Sequence, residues 1–215
     1  MSVHVRHFDL DSESAHLVHL SAAERVRAAS FHFERDARRW AVGRSLLRST
    51  LGGLLCADPA ALVFESGPFG KPFLPDCPLG FSVSHSGSAF LIALAWNTDV
   101  GVDIERLRDD FAPEAIALQV FSFKEQAALE QAPLGERPAA FLAQWTAKEA
   151  YVKALGTGLS FPLTRLTLTL NPDGRYTADD LTADGSSPAA VSVCRLDAAP
   201  GYTASLAYVS RNPKP

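Results

Sequence analysis

The stretch Phe81-Ser82-Val83-Ser84-His85-Ser86, continued by Ala89 to Trp96 and by Val100-Gly101-Val102-Asp103-Ile104-Glu105, decides the fold. Three extended segments follow one another through Gly87-Ser88 and Asn97-Thr98-Asp99, and turns this short join antiparallel neighbours. On the last segment Asp103 and Glu105 stand at i and i+2. They project from one face roughly 6–7 Å apart, while Val102 and Ile104 fill the other. A short and a longer carboxylate can converge on one ion from that spacing. Oxygen-only donors suit a hard cation, and Mg2+ is typically held by a few carboxylates with phosphates and water. Asp-x-Glu is also the ordinary look of a solvated strand face, so the pair needs support from elsewhere in the chain.

That support lies in Trp145-Thr146-Ala147-Lys148-Glu149-Ala150-Tyr151-Val152-Lys153. Read as helix, Glu149 and Lys153 are i and i+4 neighbours, with Trp145 one turn earlier. A surface ion pair worth about 0.2–0.5 kcal/mol would account for those two by themselves. Taken with Asp103 and Glu105, Glu149 completes an all-oxygen set for Mg2+, with Mn2+ the alternative ion. Three carboxylates on one divalent cation leave the site negative before any phosphate arrives. Lys148, Lys153, Lys71 and His85 are the candidates to compensate a diphosphate.

Outward from these two segments the chain alternates helical and extended patterns. Val3 to Leu10 alternates like a strand, and Ser21 with Glu24 makes a capping-box start for a helix. An arginine-rich helix runs from about Asp36 to Leu55, and Leu62-Val63-Phe64 reads as a short strand. Gly67 to Gly80, with four prolines and three glycines, is a shaped loop. Pro113 to Val120, Ser122 to Gln131 and Ala139 to Leu155 read as helices separated at Pro133, Gly135 and Pro138, and Gly156 ends the last. The remainder is extended at Thr164 to Leu170, Val191 to Leu196 and Tyr202 to Val209, with a polar loop at Asp179 to Pro188. Helices plus antiparallel strands in each half give an α+β class. The expected division falls near Arg106 to Phe111, as 1–106 and 107–215, which sets the acids at the junction. No residue-level repeat is evident.

Composition bounds the function. The chain has 215 residues, 47% of them hydrophobic and 20% charged, enough to bury a core and unlike a disordered protein. A net charge of −4 argues against coating nucleic acid. Glu24 to Arg48 runs against that balance, with seven arginines to three acids: a solvated helix face or a landing strip for an anion. Cys56, Cys77 and Cys194 are too scattered for a zinc site or a disulfide framework. The polar N-terminus and the short apolar run Ala89 to Trp96 exclude a signal peptide and a membrane span, so the expectation is a soluble, cytoplasmic protein.

Four motifs in order resemble the 4′-phosphopantetheinyl transferases, in their single-chain Sfp-like branch. They are Gly70-Lys71-Pro72 with Pro75-Asp76, the Ser-His strand end Phe81 to Ser86, the strand Gly101 to Glu105, and the Trp-x-x-Lys-Glu-x-x-x-Lys helix of Trp145 to Lys153. The resemblance implies two similar α+β subdomains packed as a pseudo-dimer, with coenzyme A in the cleft between them. It implies Mg2+ on Asp103, Glu105 and Glu149, and transfer of phosphopantetheine to a serine of an acyl or peptidyl carrier protein with release of 3′,5′-ADP. It makes Glu149, Lys153, Asp103 and His85 catalytic, and has Lys71, Ser84, His85, Lys148 and Lys153 fix the phosphates. Asp36 to Arg44 resembles the helix that meets the ribose 3′-phosphate, through Arg39 first, then Arg35 and Arg44. Ala112 to Gln131, with Lys124, is the expected docking stretch for the carrier, and a monomer without nucleic-acid or membrane partners is expected. The rival readings are another Mg2+-dependent phosphoryl-transfer enzyme such as a nuclease, and a coenzyme A- or carrier-binding module without turnover.

Overall fold

The computed structural model describes residues 2–108, 110–180 and 191–210. The first part of the chain gives strand β1 (Val3–Asp9), helices α1 (Ala22–Ala29) and α2 (Glu34–Leu55), a ribbon of β2 (Glu65–Ser66) and β3 (Pro72–Phe73), then β4 (Leu79–Ser86) and β5 (Ala89–Trp96). The rest gives β6 (Thr98–Arg106), helices α3 (Pro113–Val120), α4 (Phe123–Gln131) and α5 (Arg137–Leu155), and strands β7 (Leu166–Leu170), β8 (Arg175–Asp180), β9 (Val191–Leu196) and β10 (Tyr202–Ser210). The sheet orders are β1-β5-β4 and β6-β10-β9-β8-β7, and every pairing is antiparallel. The two orders superimpose: β1, β5 and β4 correspond to β6, β10 and β9, and the β2–β3 ribbon to β7–β8. With one long helix on each sheet, the molecule is a pseudo-dimer of two α+β halves. The chain changes half at Asn97 (φ 52°), so β6, which the sequence places in the first half, hydrogen-bonds with the second.

Charge pairing shows a repeat that the letters hide. Ser21 and Ser122 both build complete capping boxes, on Glu24 and Glu125. Each of these glutamates is buried and clasped by a base from the long helix of its own half. Arg48 Nε lies 2.5 Å from Glu24, and Lys148 Nζ lies 2.7 Å from Glu125. Each base also donates to carbonyls of the segment after its helix: Arg48 to Pro59 and Leu62, Lys148 to Leu163 and Leu166.

The core is layered helix, sheet, sheet, helix. Phe90, Ile92 and Leu94 of β5 face α2 with Val42, Leu47 and Leu51. Leu91, Ala93 and Ala95 turn the other way, onto Val100, Val102 and Ile104 of β6 and Ala204 and Leu206 of β10. A strand buried on both faces needs an unbroken apolar run, which is why Ala89 to Trp96 shows no alternation. Beneath the second sheet, Ala147, Ala150 and Tyr151 of α5 pack on Ala207, Val209 and Leu166.

β6 is an edge strand whose outer amides meet side chains in place of a partner strand. Ser82, Ser84 and Ser86 of β4 accept from the N–H groups of Val102, Ile104 and Arg106 at 3.2, 3.4 and 3.0 Å. The alternating serines thus satisfy an edge that would otherwise be bare. Gly80 extends the strip; a Cβ there would stand 2.0 Å from the Thr98 carbonyl.

Some local expectations differ. Leu62 to Phe64 is not a strand; the extended pair is Glu65–Ser66 against Pro72–Phe73, the first just before the loop expected to be irregular and the second inside it. Pro138 lies in the first turn of α5, where its missing N–H costs nothing, so the helix starts at Arg137. β8 includes Asp179 and Asp180, the start of the expected polar loop; 181–190 lie outside the described residues. Among the described residues no helix is long and apolar enough to cross a membrane.

Candidate active site

Gly101 sets the geometry. A Cβ there would lie 2.0 Å from the Ala150 carbonyl and 2.4 Å from the Ala154 nitrogen, so α5 rests on β6 as closely as only glycine permits. Asp103 and Glu105 share that face of β6, and Glu149 and Lys153 flank the contact on α5. Asp103 is 4% exposed. Its Oδ1 accepts from Ser84 Oγ at 2.7 Å and from Lys153 Nζ at 2.6 Å. Lys153 donates further to Ser84 Oγ at 3.2 Å and to the Val102 carbonyl at 3.3 Å. Glu105 Oε2 accepts from Ser86 Oγ at 2.7 Å. Burial pushes the Glu149 carboxyl up from its ordinary value; Lys153 pulls it down, and the neighbouring Asp103 and Glu105 push it up again, leaving it raised.

Among the described residues no three His, Cys, Asp or Glu side chains are gathered closely enough to hold a metal ion as they stand; Lys153 supplies the positive charge on Asp103. The residues nonetheless fit a hard cation. Asp103 Oδ2 and Glu149 Oε1 are buried without hydrogen-bond partners, and such oxygens are costly unless something takes them up. Every donor in the group is oxygen, which favours Mg2+ over a softer metal.

The other expected residues divide. Lys148, expected at the phosphates, is wholly buried: its ammonium meets Glu125, the Leu163 and Leu166 carbonyls and the Phe121 ring. One residue along a helix is about 100° of rotation, and that turn carries Lys148 off the face that Glu149 uses. Lys71 ties the loop to the seam, donating to the Val100 and Ala154 carbonyls at 2.9 and 3.3 Å. Ser84 bonds Asp103 itself. His85 faces the opposite side of β4 from the serines and lines a cavity of about 630 Å3 with Phe31, Trp40 and Phe90. Arg39 and Arg44 line it too, but both are paired. Arg39 grips Asp11 through Nε at 2.8 Å and Nη2 at 2.5 Å, and Arg44 holds Glu24. Arg35 is outside the cavity, 71% exposed beside Asp36. Two residues at the acids were not foreseen. Ser86 was visible only as the third member of an alternating serine series. Thr203, opposite Glu105 in the ladder, gives no signal in the sequence at all.

Residues 99–207 match the family model described as the 4′-phosphopantetheinyl transferase superfamily, and 11–97 match that of the 4′-phosphopantetheinyl transferase N-terminal region. The chain belongs to the 4′-phosphopantetheinyl transferase superfamily. The two matches meet at Asn97, where this transferase passes from one sheet to the other. Similar relatives include 4′-phosphopantetheinyl transferase HetI of Nostoc sp., 35% identical over 178 residues that span 79% of this chain and 75% of that protein. The transferase psf-1 of Bacillus pumilus is 32% identical over 90% of this chain and 80% of its own. Sfp of Bacillus subtilis is 30% identical over 85% and 79%. A solved holo-(acyl-carrier-protein) synthase from Bacillus anthracis, in complex with CoA (3′,5′-ADP), overlaps 53% of the transferase and 96% of its own chain at TM-score 0.44 and 16% identity, a partial overlap that adds nothing to the assignment.

Proposed function

We propose that the transferase moves 4′-phosphopantetheine from coenzyme A to a serine of an apo acyl or peptidyl carrier protein, in a Mg2+-dependent reaction that releases 3′,5′-ADP. One observation carries this reading: two strand carboxylates, a helix carboxylate and a lysine meet at the seam with unspent buried oxygens, beside a cavity edged by arginines and a histidine. Asp103, Glu105 and Glu149 are the residues to hold the cation, which when bound neutralises the diphosphate and keeps its β-phosphorus open to attack. The cavity of α2 and β4 takes the nucleotide end, with His85, Arg39 and Arg44 toward phosphate, Arg39 and Arg44 exchanging part of their hold on Asp11 and Glu24 for it. The serine oxygen bonds to the β-phosphorus, the bond to the bridging oxygen breaks, and 3′,5′-ADP leaves. Glu149 takes the serine proton, as a carboxylate within hydrogen-bond reach of it can. Lys153, released from Asp103, offers its charge to the departing oxygen.

In this reading the first half serves coenzyme A and the second the carrier. Ile116, Leu118 and Phe123 expose apolar surface on α3 and α4, beside Lys124, and make the docking face. The test is mass: incubation with coenzyme A, Mg2+ and apo carrier proteins of several kinds adds one phosphopantetheine to the carrier. No adduct on any carrier, or an adduct undiminished by EDTA, overturns the proposal.

A further inference from the structure

Four buried side-chain oxygens among the described residues lack a hydrogen-bond partner, and three of them belong to one place: Asp103 Oδ2, Glu149 Oε1 and Thr203 Oγ1, the fourth being Thr157. Thr203 is 4% exposed and is the ladder partner of Glu105. Its direction follows from its own strand. Ser205, two residues on, bonds Thr146 of α5 at 3.1 Å, and Ala207 and Val209 pack beneath the same helix. Side chains alternate along a strand, so Thr203 also projects toward α5, on the face shared by Asp103, Glu105 and Glu149. A hydroxyl sealed from water with no partner is a standing cost to the fold. Ser205 and Thr146 show that a hydroxyl on this face can find a partner within the protein; Thr203 has none.

We infer that Thr203 is a positioning residue of the cation site, its hydroxyl hydrogen-bonding the hydration shell of the ion that Asp103, Glu105 and Glu149 hold. Small hard cations keep several waters, and three carboxylates cannot fill an octahedral shell without them. Outer hydrogen bonds of this kind commonly govern affinity by 10–100-fold. The inference rests on the carboxylate reading of the site above, and adds to it a residue whose hydroxyl hydrogen-bonds none of the three carboxylates.

The experiment titrates Mn2+ alone into the full chain by calorimetry, for wild type, Thr203→Val and Thr203→Ser, and records thermal unfolding of each in EDTA. Valine keeps the shape and removes the hydroxyl. The expected result is Mn2+ affinity about 10-fold weaker for Thr203→Val, near wild type for Thr203→Ser, and a Tm in EDTA for Thr203→Val equal to or a few degrees above wild type. A hydroxyl that merely supported the fold would move Tm down and leave affinity alone; either that pattern or equal Mn2+ binding by wild type and Thr203→Val overturns the inference. If wild type itself binds no Mn2+, the carboxylate reading has failed and the role of Thr203 fails with it, a result distinct from failure at Thr203 alone.

Discussion

Glu149 has the most asked of it: half-buried with one carboxylate oxygen sealed from water, pressed by two acids, steadied by one lysine. Replacing it with glutamine keeps the volume and removes both the charge and the base. Glu149→Gln should lower turnover by on the order of 100-fold or more, while coenzyme A still binds at the cavity across the seam. A time course of carrier mass read beside equilibrium dialysis of coenzyme A checks this; normal turnover would mean another group takes the proton. Lys148 teaches the opposite lesson at the same scale. Its type and position next to Glu149 invite a phosphate role, yet burial pulls its ammonium down from the ordinary lysine range while Glu125 resists that pull. Sequence shows that the two residues face different ways, but which face meets the acids depends on the sheet beneath.

At the scale of elements, the two clasps fix the long helices. Lys148→Met leaves Glu125 sealed in with its charge uncompensated, and should cost about 3–5 kcal/mol. Adding Glu125→Gln should return much of that loss, and urea midpoints of the single and double variants measure both. Around Glu24, burial pushes the carboxyl up, but hydrogen bonds from Arg48, the Ser21 N–H and Arg44 outweigh it and hold the group below its ordinary 4.5. An acid lowered in this way stabilises the fold in full above that ordinary value, and the benefit is lost as pH falls through the lower folded one. Glu24→Gln should therefore melt below wild type at pH about 7, with a gap that narrows below pH about 4; calorimetry across that range decides it. Both capping boxes were legible, because Ser-x-x-Glu is a local signal. The clasps were not, since Arg48 and Lys148 lie a whole helix away from the glutamates they hold.

For the whole molecule, the two clasps also align the halves. With Arg48 in the place of Lys148, Ser49 stands where Glu149 would be and Gly53 where Lys153 would be. The mirror position has neither helix carboxylate nor ammonium, so Mn2+ calorimetry should give one site per chain; two would refute the alignment. The α+β class, the sharing of one strand face by Asp103 and Glu105 and the i, i+4 placing of Glu149 and Lys153 on one helix could be read from the sequence, because alternation and i, i+4 spacing are local. The passage of β6 into the other half could not, since pairing with β10 is decided by residues some hundred positions on. The amides of Val102, Ile104 and Arg106 are guarded by lone hydroxyls, whereas those inside the β1-β5-β4 sheet are locked in ladders. Hydrogen exchange should accordingly be faster at those three than along β5. The protein is perforated along one line, and its acids sit on that tear strip.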